Sequence, residues 1–418
     1  MSRKKYALFL LAVSAMLCAQ RQCSAEETIT LEKSLALAFE NNPRIIESRK
    51  ATMASRGDLI TAGSLPDPEV GFEIGGLKRN EDGKRQVNLD SIEIRQGFDP
   101  PGVRGLRKEI ASNAVSVQEE SLRQAWGEIY SRVRQTYNKI TLDKKEIELA
   151  KGNLEILRNF FSRVQQRLQT GQALKNELQR ARIELLKAEN ASLAVEKTLK
   201  TDKAQLNLLM GRAMEIAFDI EEELKEEKLE IGLQKLTEIA FNNRPDVKLE
   251  RLNLDSKTKN VTKEERNRLP APFIGFQRIR EDFENDYGVV VGFSFPLWGG
   301  NRGQIQRAMA EKEAQWVRLE AIRREAAFEV YEAYLEAELA QKQLDSLKKS
   351  LEEANELLHL ADLSYSEGEM DFINYLDQVR TVAETRVQYY EGLFNLNKAI
   401  TELEKTVYTS MRKEAYLK

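Results

Sequence analysis

Between Arg104 and Leu168 the chain contains no proline, and Ile147, Ala150, Leu154, Leu157, Phe161, Val164 and Leu168 keep a strict 3-4 heptad spacing. At 1.5 Å per residue such a helix extends for roughly 90–100 Å, far more than a globular domain needs. A partner helix keeps the same seam at Leu174, Leu178, Ala181, Leu185, Ala188, Val195, Leu199, Leu206 and Leu209, with Ser192 and Asp202 at intervening positions. The seam returns later at Leu344, Leu347, Leu351, Ala354, Leu358, Ala361 and Tyr365. The spacing predicts two antiparallel coiled-coil hairpins, turning at "QTGQ" (Gln169–Gln172) and "SEGE" (Ser366–Glu369). A rod of this length spans a distance.

The hairpins recur because the chain is a duplication. "AFENNPRI" at Ala38–Ile45 returns as "AFNNRPDV" at Ala240–Val247, and "LPDPEVGFEIGG" from Leu65 as "LPAPFIGFQRI" from Leu269. "GFDPPGVRGLRKEIA" from Gly97 returns as "SFPLWGGNRGQIQRAMA" from Ser294. The predicted organisation is a leader at 1–25, a first structural repeat at 26–231 and a second at 232–418. Each repeat reads as helix, two strands and a long helical hairpin. The strands fall at about Glu69–Gly75, Val87–Phe98, Phe273–Ile279 and Gly288–Phe295. In the last of them Val289, Val291, Phe293 and Phe295 alternate with Val290, Gly292 and Ser294, as a strand with one face toward lipid does.

The leader reading rests on Arg3-Lys4-Lys5, an apolar run from Tyr6 to Leu17, and Cys23-Ser24-Ala25 before a polar segment. An uncleaved anchor needs about 20 apolar residues, and this core is shorter. Both cysteines, Cys18 and Cys23, lie within it, so the mature chain is expected to hold no disulfide, thiolate metal site or cysteine nucleophile. Lipidation of Cys18 stays open, although bulky Leu17 precedes it where a lipoprotein signal has a small residue. Loss of Arg3, Lys4, Lys5 and Arg21 makes the mature chain more acidic than the formal −3 of the whole, which argues against nucleic acid. A mean hydropathy of −0.52 does not exclude the membrane, because barrel strands of about 10 alternating residues leave little trace in hydropathy.

Four strands cannot close a membrane barrel, which needs at least about eight. Two copies supply eight, a number whose interior side chains fill; three supply twelve, which leaves a pore. The expected architecture is therefore mainly α with a small β part: long antiparallel coiled-coil hairpins forming a helical tube, plus four strands given to a shared trimeric transmembrane barrel.

The repeated "AF-N-NP" start, the Pro/Gly strand-to-helix passages and the tip phrase "LSYSEGEMDFINYLDQVRTVAETRVQYY" together resemble the TolC-like outer-membrane efflux proteins over the whole mature chain. "FDPPGVRG" and "FPLWGGNRGQI" are more similar to the branch serving heavy-metal (cobalt-zinc-cadmium type) resistance. The resemblance implies a homotrimeric channel in the outer membrane that extends into the periplasm and is closed at its inner tip. It also implies the partners: a periplasmic adaptor (membrane fusion) protein, an inner-membrane pump of RND type, and outer-membrane lipid. No cofactor and no enzymatic activity are implied.

Carried onto this sequence from the turn glycines Gly171 and Gly368, the family's periplasmic gate positions fall on Glu177, Tyr365, Asn374 and Asp377, and the hairpin-tip adaptor contact on Gly171 and Gly368. Asn374 stands where many members have an acid, and Met370 where some have an arginine. Tyr365 also continues the seam from Leu344, so packing and latch are both open readings. Glu177 and Asp377 are equally readable as a solvated helix face.

Other chemistry finds little footing. "GGNRG" lacks the Gly-Lys-Ser/Thr of a phosphate loop and reads as a backbone hinge. His359 is the only histidine, without cysteine beside it, so no tight metal site and no Ser-His-Asp triad is expected. The main rival is a periplasmic coiled-coil adaptor or scaffold without its own channel. Such a protein has no need of four barrel-like strands placed symmetrically before its hairpins.

Overall fold

The computed structural model describes residues 27–74, 78–79, 85–86, 89–171, 173–220, 224–229, 231–281 and 284–409. The expected leader with Cys18 and Cys23, Gln172 of the first turn, and parts of both loops joining the strand pairs lie outside the described residues.

In chain order the elements are β1 (Glu27–Thr28), α1 (Leu31–Asn41), α2 (Pro43–Gly63), β2 (Glu69–Ile74), β3 (Lys78–Arg79), β4 (Arg85–Gln86), β5 (Leu89–Gly97), α3 (Val103–Gln169) and α4 (Lys175–Leu209). They continue with β6 (Phe218–Asp219), α5 (Leu233–Asn243), α6 (Pro245–Arg266), β7 (Ala271–Glu281), β8 (Glu284–Ser294), α7 (Arg302–Glu367) and α8 (Phe372–Val407). α3 and α7 run unbroken for 67 and 66 residues, as the heptad spacing and missing prolines require. Pro43 and Pro245 each open a helix, where a missing N–H costs nothing.

Two compact units are present, and each takes segments from both halves of the sequence. The first comprises the chain up to Asn42, Arg132–Glu227 and Lys342–Asn397. It holds both hairpin turns and the short parallel pair β1–β6, where Glu27 pairs with Phe218. The second comprises Pro43–Ser131, Lys228–Gln341 and the chain from Lys398.

In the second unit the four long strands form one antiparallel sheet in the order β2-β5-β7-β8. Val70, Phe72, Ile94, Ile274, Phe276, Val289, Val291 and Phe293 are all exposed on it. These alternate with Gly71, Glu73, Glu93, Arg95, Gly275, Gln277 and Gly292, so one face is apolar and the other is mainly small or polar, with Phe273, under the Arg95 guanidinium, and Val290 among its apolar members. An exposed apolar face of this extent on a sheet is built for lipid. No helix among the described residues is long and apolar enough to cross a membrane.

The passages from sheet to long helix are sharp in both halves. Gly102 has φ 78, and Gly299, Gly300 and Asn301 have φ 84, 50 and 58, a left-handed run suited to glycine and tolerated by asparagine. Arg107 fastens the first passage, donating from Nε to Ala62 O (2.8 Å), from Nη2 to Ser64 O (2.8 Å) and from both Nη atoms to Asp99 (3.1 Å each). Asn301 fastens the second through Nδ2 to Glu264 O at 2.7 Å. Both short segments act as hinges of the backbone.

Candidate functional site

The tip begins with two turns built alike. α7 ends in a Schellman arrangement: Gly368 (φ 81) donates to Tyr365 O at 3.3 Å, and Glu369 donates to Ser364 O at 2.9 Å. At the other turn Gly171 (φ 79) donates to Leu168 O at 3.1 Å. A side chain at either glycine meets no steric block from neighbours, so the positive φ alone selects glycine.

The helices that leave these turns are started differently. α8 has a side-chain cap: Asp371 Oδ1 accepts from Ile373 N and Asn374 N, both at 2.9 Å, and Asp371 Oδ2 accepts from Asn374 Nδ2 at 2.7 Å. α4 starts at Leu174 with no side-chain cap and carries Glu177 as the acid of its first turn. Glu177 and Asn374 occupy the same helical position. Each first turn thus contains one acid facing the positive helix end, at the third residue in α4 and at the cap in α8.

Behind the turns lies an aromatic cluster. Phe160 of α3 contacts Tyr365 of α7 and Phe372 and Tyr375 of α8, with ring centroids 5.5, 5.2 and 5.1 Å apart. Tyr365 and Tyr375 stack at 4.6 Å. Arg163 and Arg167 place their guanidinium carbons 5.9 and 5.8 Å from the Tyr365 ring. The Tyr365 hydroxyl is 3.5 Å from Arg167 Nη1, at the outer limit of a hydrogen bond. The Tyr375 hydroxyl donates to Asp362 Oδ1 at 2.7 Å. Burial, followed by Asp362, pushes the Tyr375 phenol up to about 12.

Of the four predicted gate residues, Tyr365 is buried in this cluster and Asn374 is engaged with Asp371. Asp377 is exposed, Glu177 is half-buried, and neither carboxylate has an ion pair among the described residues. Phe160, Tyr375 and Asp362 escaped the sequence reading, because the contact of α3 with α8 has no local spacing to betray it. His359 is exposed on α7.

Away from the turns, an open groove of about 640 Å³ is bordered by Ile156, Ala188, Val195, Leu358, Val379 and Val382. Nearby, Asp143 of α3 is fully buried, with Lys139 Nζ 3.0 Å away. Burial pushes its carboxyl up to about 7; Lys139 opposes the shift and Asp202 of α4 adds to it. No group of three or more His, Cys, Asp or Glu among the described residues is arranged to hold a metal ion.

Comparison with known proteins gives a consistent result. The family described as "Outer membrane efflux protein" matches residues 35–212 and 236–407, one block in each half. The cobalt-zinc-cadmium resistance protein CzcC of Cupriavidus metallidurans is 20% identical over 380 residues, covering 90% of this chain and 89% of that protein. Among solved structures, CusC superposes with a TM-score of 0.78 at 17% identity, over 91% of this chain and 92% of that one. VceC from Vibrio cholerae superposes with a TM-score of 0.76 at 13% identity, over 91% and 97%. These structural likenesses give the fold.

Proposed function

Because the chain belongs to the outer membrane efflux protein family, matched in both halves, we propose that it is the outer-membrane channel of a tripartite system exporting heavy-metal cations. The family consists of channels, not enzymes, and it places the chain in the outer membrane. The cations would arrive from an RND-type pump through a periplasmic adaptor and cross passively. The observation that carries the metal reading is the match to a cobalt-zinc-cadmium resistance protein along nearly the whole chain.

In this reading three copies share a barrel and a helical tube. A four-stranded sheet with two open edges and one apolar face supports it, since such a sheet is stable in lipid only when closed. The tip carries the gate at Glu177, Tyr365, Asn374 and Asp377. An exposed, unpaired Asp377 repeated around a narrow opening concentrates cations there. Gly171 and Gly368, at the hairpin turns, receive the adaptor. A scaffold without a channel leaves the lipid-type sheet unexplained.

The test is reconstitution of export in a metal-sensitive bacterium supplied with an RND-type pump and its periplasmic adaptor. Tolerance to zinc, cobalt or cadmium should rise with the chain present and fall with Val291→Arg. An arginine at mid-bilayer on a lipid-facing strand costs about 2–4 kcal/mol per copy. Restored tolerance to organic drugs but not to metals would overturn the cargo assignment; normal membrane assembly of Val291→Arg would overturn the lipid-facing register.

A further inference from the structure

The strand sheet ends at β2 on one side and β8 on the other, and among the described residues both outer edges are open. The chain itself supplies a template for closing them, because the sheet is written twice. Glu69 pairs with Arg95 as Phe273 pairs with Gly292; Val70 pairs with Ile94 as Ile274 pairs with Val291; Phe72 pairs with Ile92 as Phe276 pairs with Val289. β2 and β5 are therefore the residue-by-residue equivalents of β7 and β8. The junction between the two halves is β5 against β7, with Glu93 opposite Gln277, Arg95 opposite Gly275 and Gly97 opposite Phe273.

We propose that β8 of one copy pairs antiparallel with β2 of the next copy in the register of the β5–β7 junction, so that Ser294 lies opposite Glu69, Gly292 opposite Gly71 and Val290 opposite Glu73. This rests on the channel reading above and deepens it by naming the seam between copies. The contact is head-to-tail, using two different edges, the type of contact from which closed rings are built.

Two observations independent of the mapping agree with this register. Residues directly opposite each other in an antiparallel pair share a face. The proposed register sets Val291 opposite Phe72 and Phe293 opposite Val70, four apolar side chains each more than half exposed in the single chain. Glycine, serine and glutamate fall on the other face, with Val290 opposite Glu73. A slip of one residue would mix the two faces all along the seam.

The second observation comes from the helices beside the sheet. α6 meets α3 of the preceding half through Asn113 Nδ2 to Asp255 Oδ2 at 2.6 Å and Lys259 Nζ to Glu109 at 3.3 Å. Counting from Pro43 and Pro245, the equivalent face of α2 carries Met53 and Gly57, with Ile46 and Ile60 one heptad to either side of Met53. Ile46, Met53 and Ile60 are all exposed. Where α6 is covered by a long helix, α2 shows an uncovered apolar row. Under the same ring closure, α7 of the preceding copy covers it near Arg307 and Glu311.

Disulfide trapping tests the register, and the chain suits it: its only cysteines, Cys18 and Cys23, precede the described residues. Phe98 N donates to Pro272 O at 2.9 Å, so the next pair inward, Gly97 with Phe273, belongs to the non-hydrogen-bonded class. Its counterpart between copies is Ser294 with Glu69, with Cα atoms about 4.5 Å apart, close enough for a disulfide. Full-length Glu69→Cys/Ser294→Cys, oxidised in isolated outer membranes, should lose its monomer band to covalent dimers and higher ladders on a non-reducing gel. Each single variant should stay monomeric on that gel, and the shifted pair Glu73→Cys/Ser294→Cys should link several-fold less. Preferential linking of the shifted pair, or no linking in a protein that still purifies as a conducting oligomer, overturns the register while the channel reading stands. A chain that fractionates as a soluble monomer overturns both.

Discussion

Asn42 and Arg244 occupy the same place in the two halves, each just before the proline that opens a short helix, and each ties that start to the end of a hairpin's return helix. Asn42 donates from Nδ2 to Leu209 O at 2.8 Å. Arg244 donates from Nη1 to Thr406 O at 3.2 Å, and also binds Asp246 through Nε (3.0 Å) and Nη2 (2.6 Å) and Glu329 through Nη1 (2.7 Å). Beyond each carbonyl the helix ends in a left-handed residue, Gly211 (φ 69) in one half and Tyr408 (φ 53) in the other. Gly211 abuts the backbone of Asn41, so no side chain fits; the Tyr408 ring instead covers Gly127, and its hydroxyl donates to Gln124 O at 3.3 Å. The repeat retains the backbone geometry of the joint, while its chemistry is neutral and small in one half and charged and aromatic in the other.

The sharpest way to break this comparison is to remove each donor. Arg244 is nearly buried, and its loss leaves Asp246 and Glu329 without their cation. Arg244→Ala should cost about 2–3 kcal/mol, below the range for a fully buried ion pair, because Asp246 and Glu329 keep 28% and 44% of their side chains exposed to water. Asn42→Ala removes the neutral bond to the buried Leu209 carbonyl and should cost about 1–3 kcal/mol. Urea unfolding of the two variants in the same detergent measures both. Equal losses would mean that the charged network around Arg244 adds nothing to the joint.

A second contrast lies further along the long helices. Counted back equally from the turn glycines, Asp143 in α3 corresponds to Ala340 in α7, and both are buried. Asp143 faces Lys139 on its own helix and Asp202 on α4, and burial raises its carboxyl to about 7. An acid raised from 3.8 to about 7 holds its proton in the folded chain but not in the unfolded one across that window. Stability contributed by this group is therefore full below about pH 4 and falls as pH rises toward 7, with no further change above. Asp143→Asn, which leaves Lys139 its contact with Glu146, should flatten this slope and raise stability at pH 8 by up to about 4 kcal/mol. A pH series of melting temperatures decides it: parallel curves for wild type and variant would show that Asp143 is ionised throughout.

These residues also show what the sequence disclosed and what it did not. The heptad spacing from Leu344 to Tyr365 found a seam in which Leu344, Ala354, Ala361 and Tyr365 are buried, and the period-two alternation found the exposed apolar face of β8. Both are local regularities that a reader can count. Asp143 sits in "LDKKEIE", which reads as a solvated face, because nothing in its neighbourhood signals that α4 covers it. Arg244 appears in the sequence only as one letter of the repeated phrase before a proline, and its role depends on Glu329 and Thr406, far away in the chain. Tyr375 was passed over for the same reason: its partners Phe160 and Asp362 come from other helices. Pairings across the fold are set by the third dimension, and spacing along one helix cannot carry them.

The smallest expected change in stability, and the most informative one for function, separates the two halves at the tip. Glu177 and Asn374 start their helices from equivalent positions, so the next turn decides the charge each half presents: Arg180 in α4 and Asp377 in α8. If the α8 side lines the opening, Asp377→Asn should reduce cation selectivity and relieve block by added divalent or trivalent cations, while Arg180→Gln should change neither. Among the described residues Tyr365→Phe removes one 3.5 Å contact, with Arg167, so unfolding should shift by less than about 0.5 kcal/mol. Any larger effect on resting conductance in a planar bilayer then reports a bond between copies, with Glu177 as the expected acceptor. Tyr375→Phe is the comparison: it loses the 2.7 Å bond to Asp362 and should cost about 1 kcal/mol without opening the pore. Resting conductance raised by Tyr365→Phe alone identifies the latch. A rise in both variants assigns closure to the packing of the aromatic cluster, and a rise in neither leaves Tyr365 as a seam residue continuing the series from Leu344.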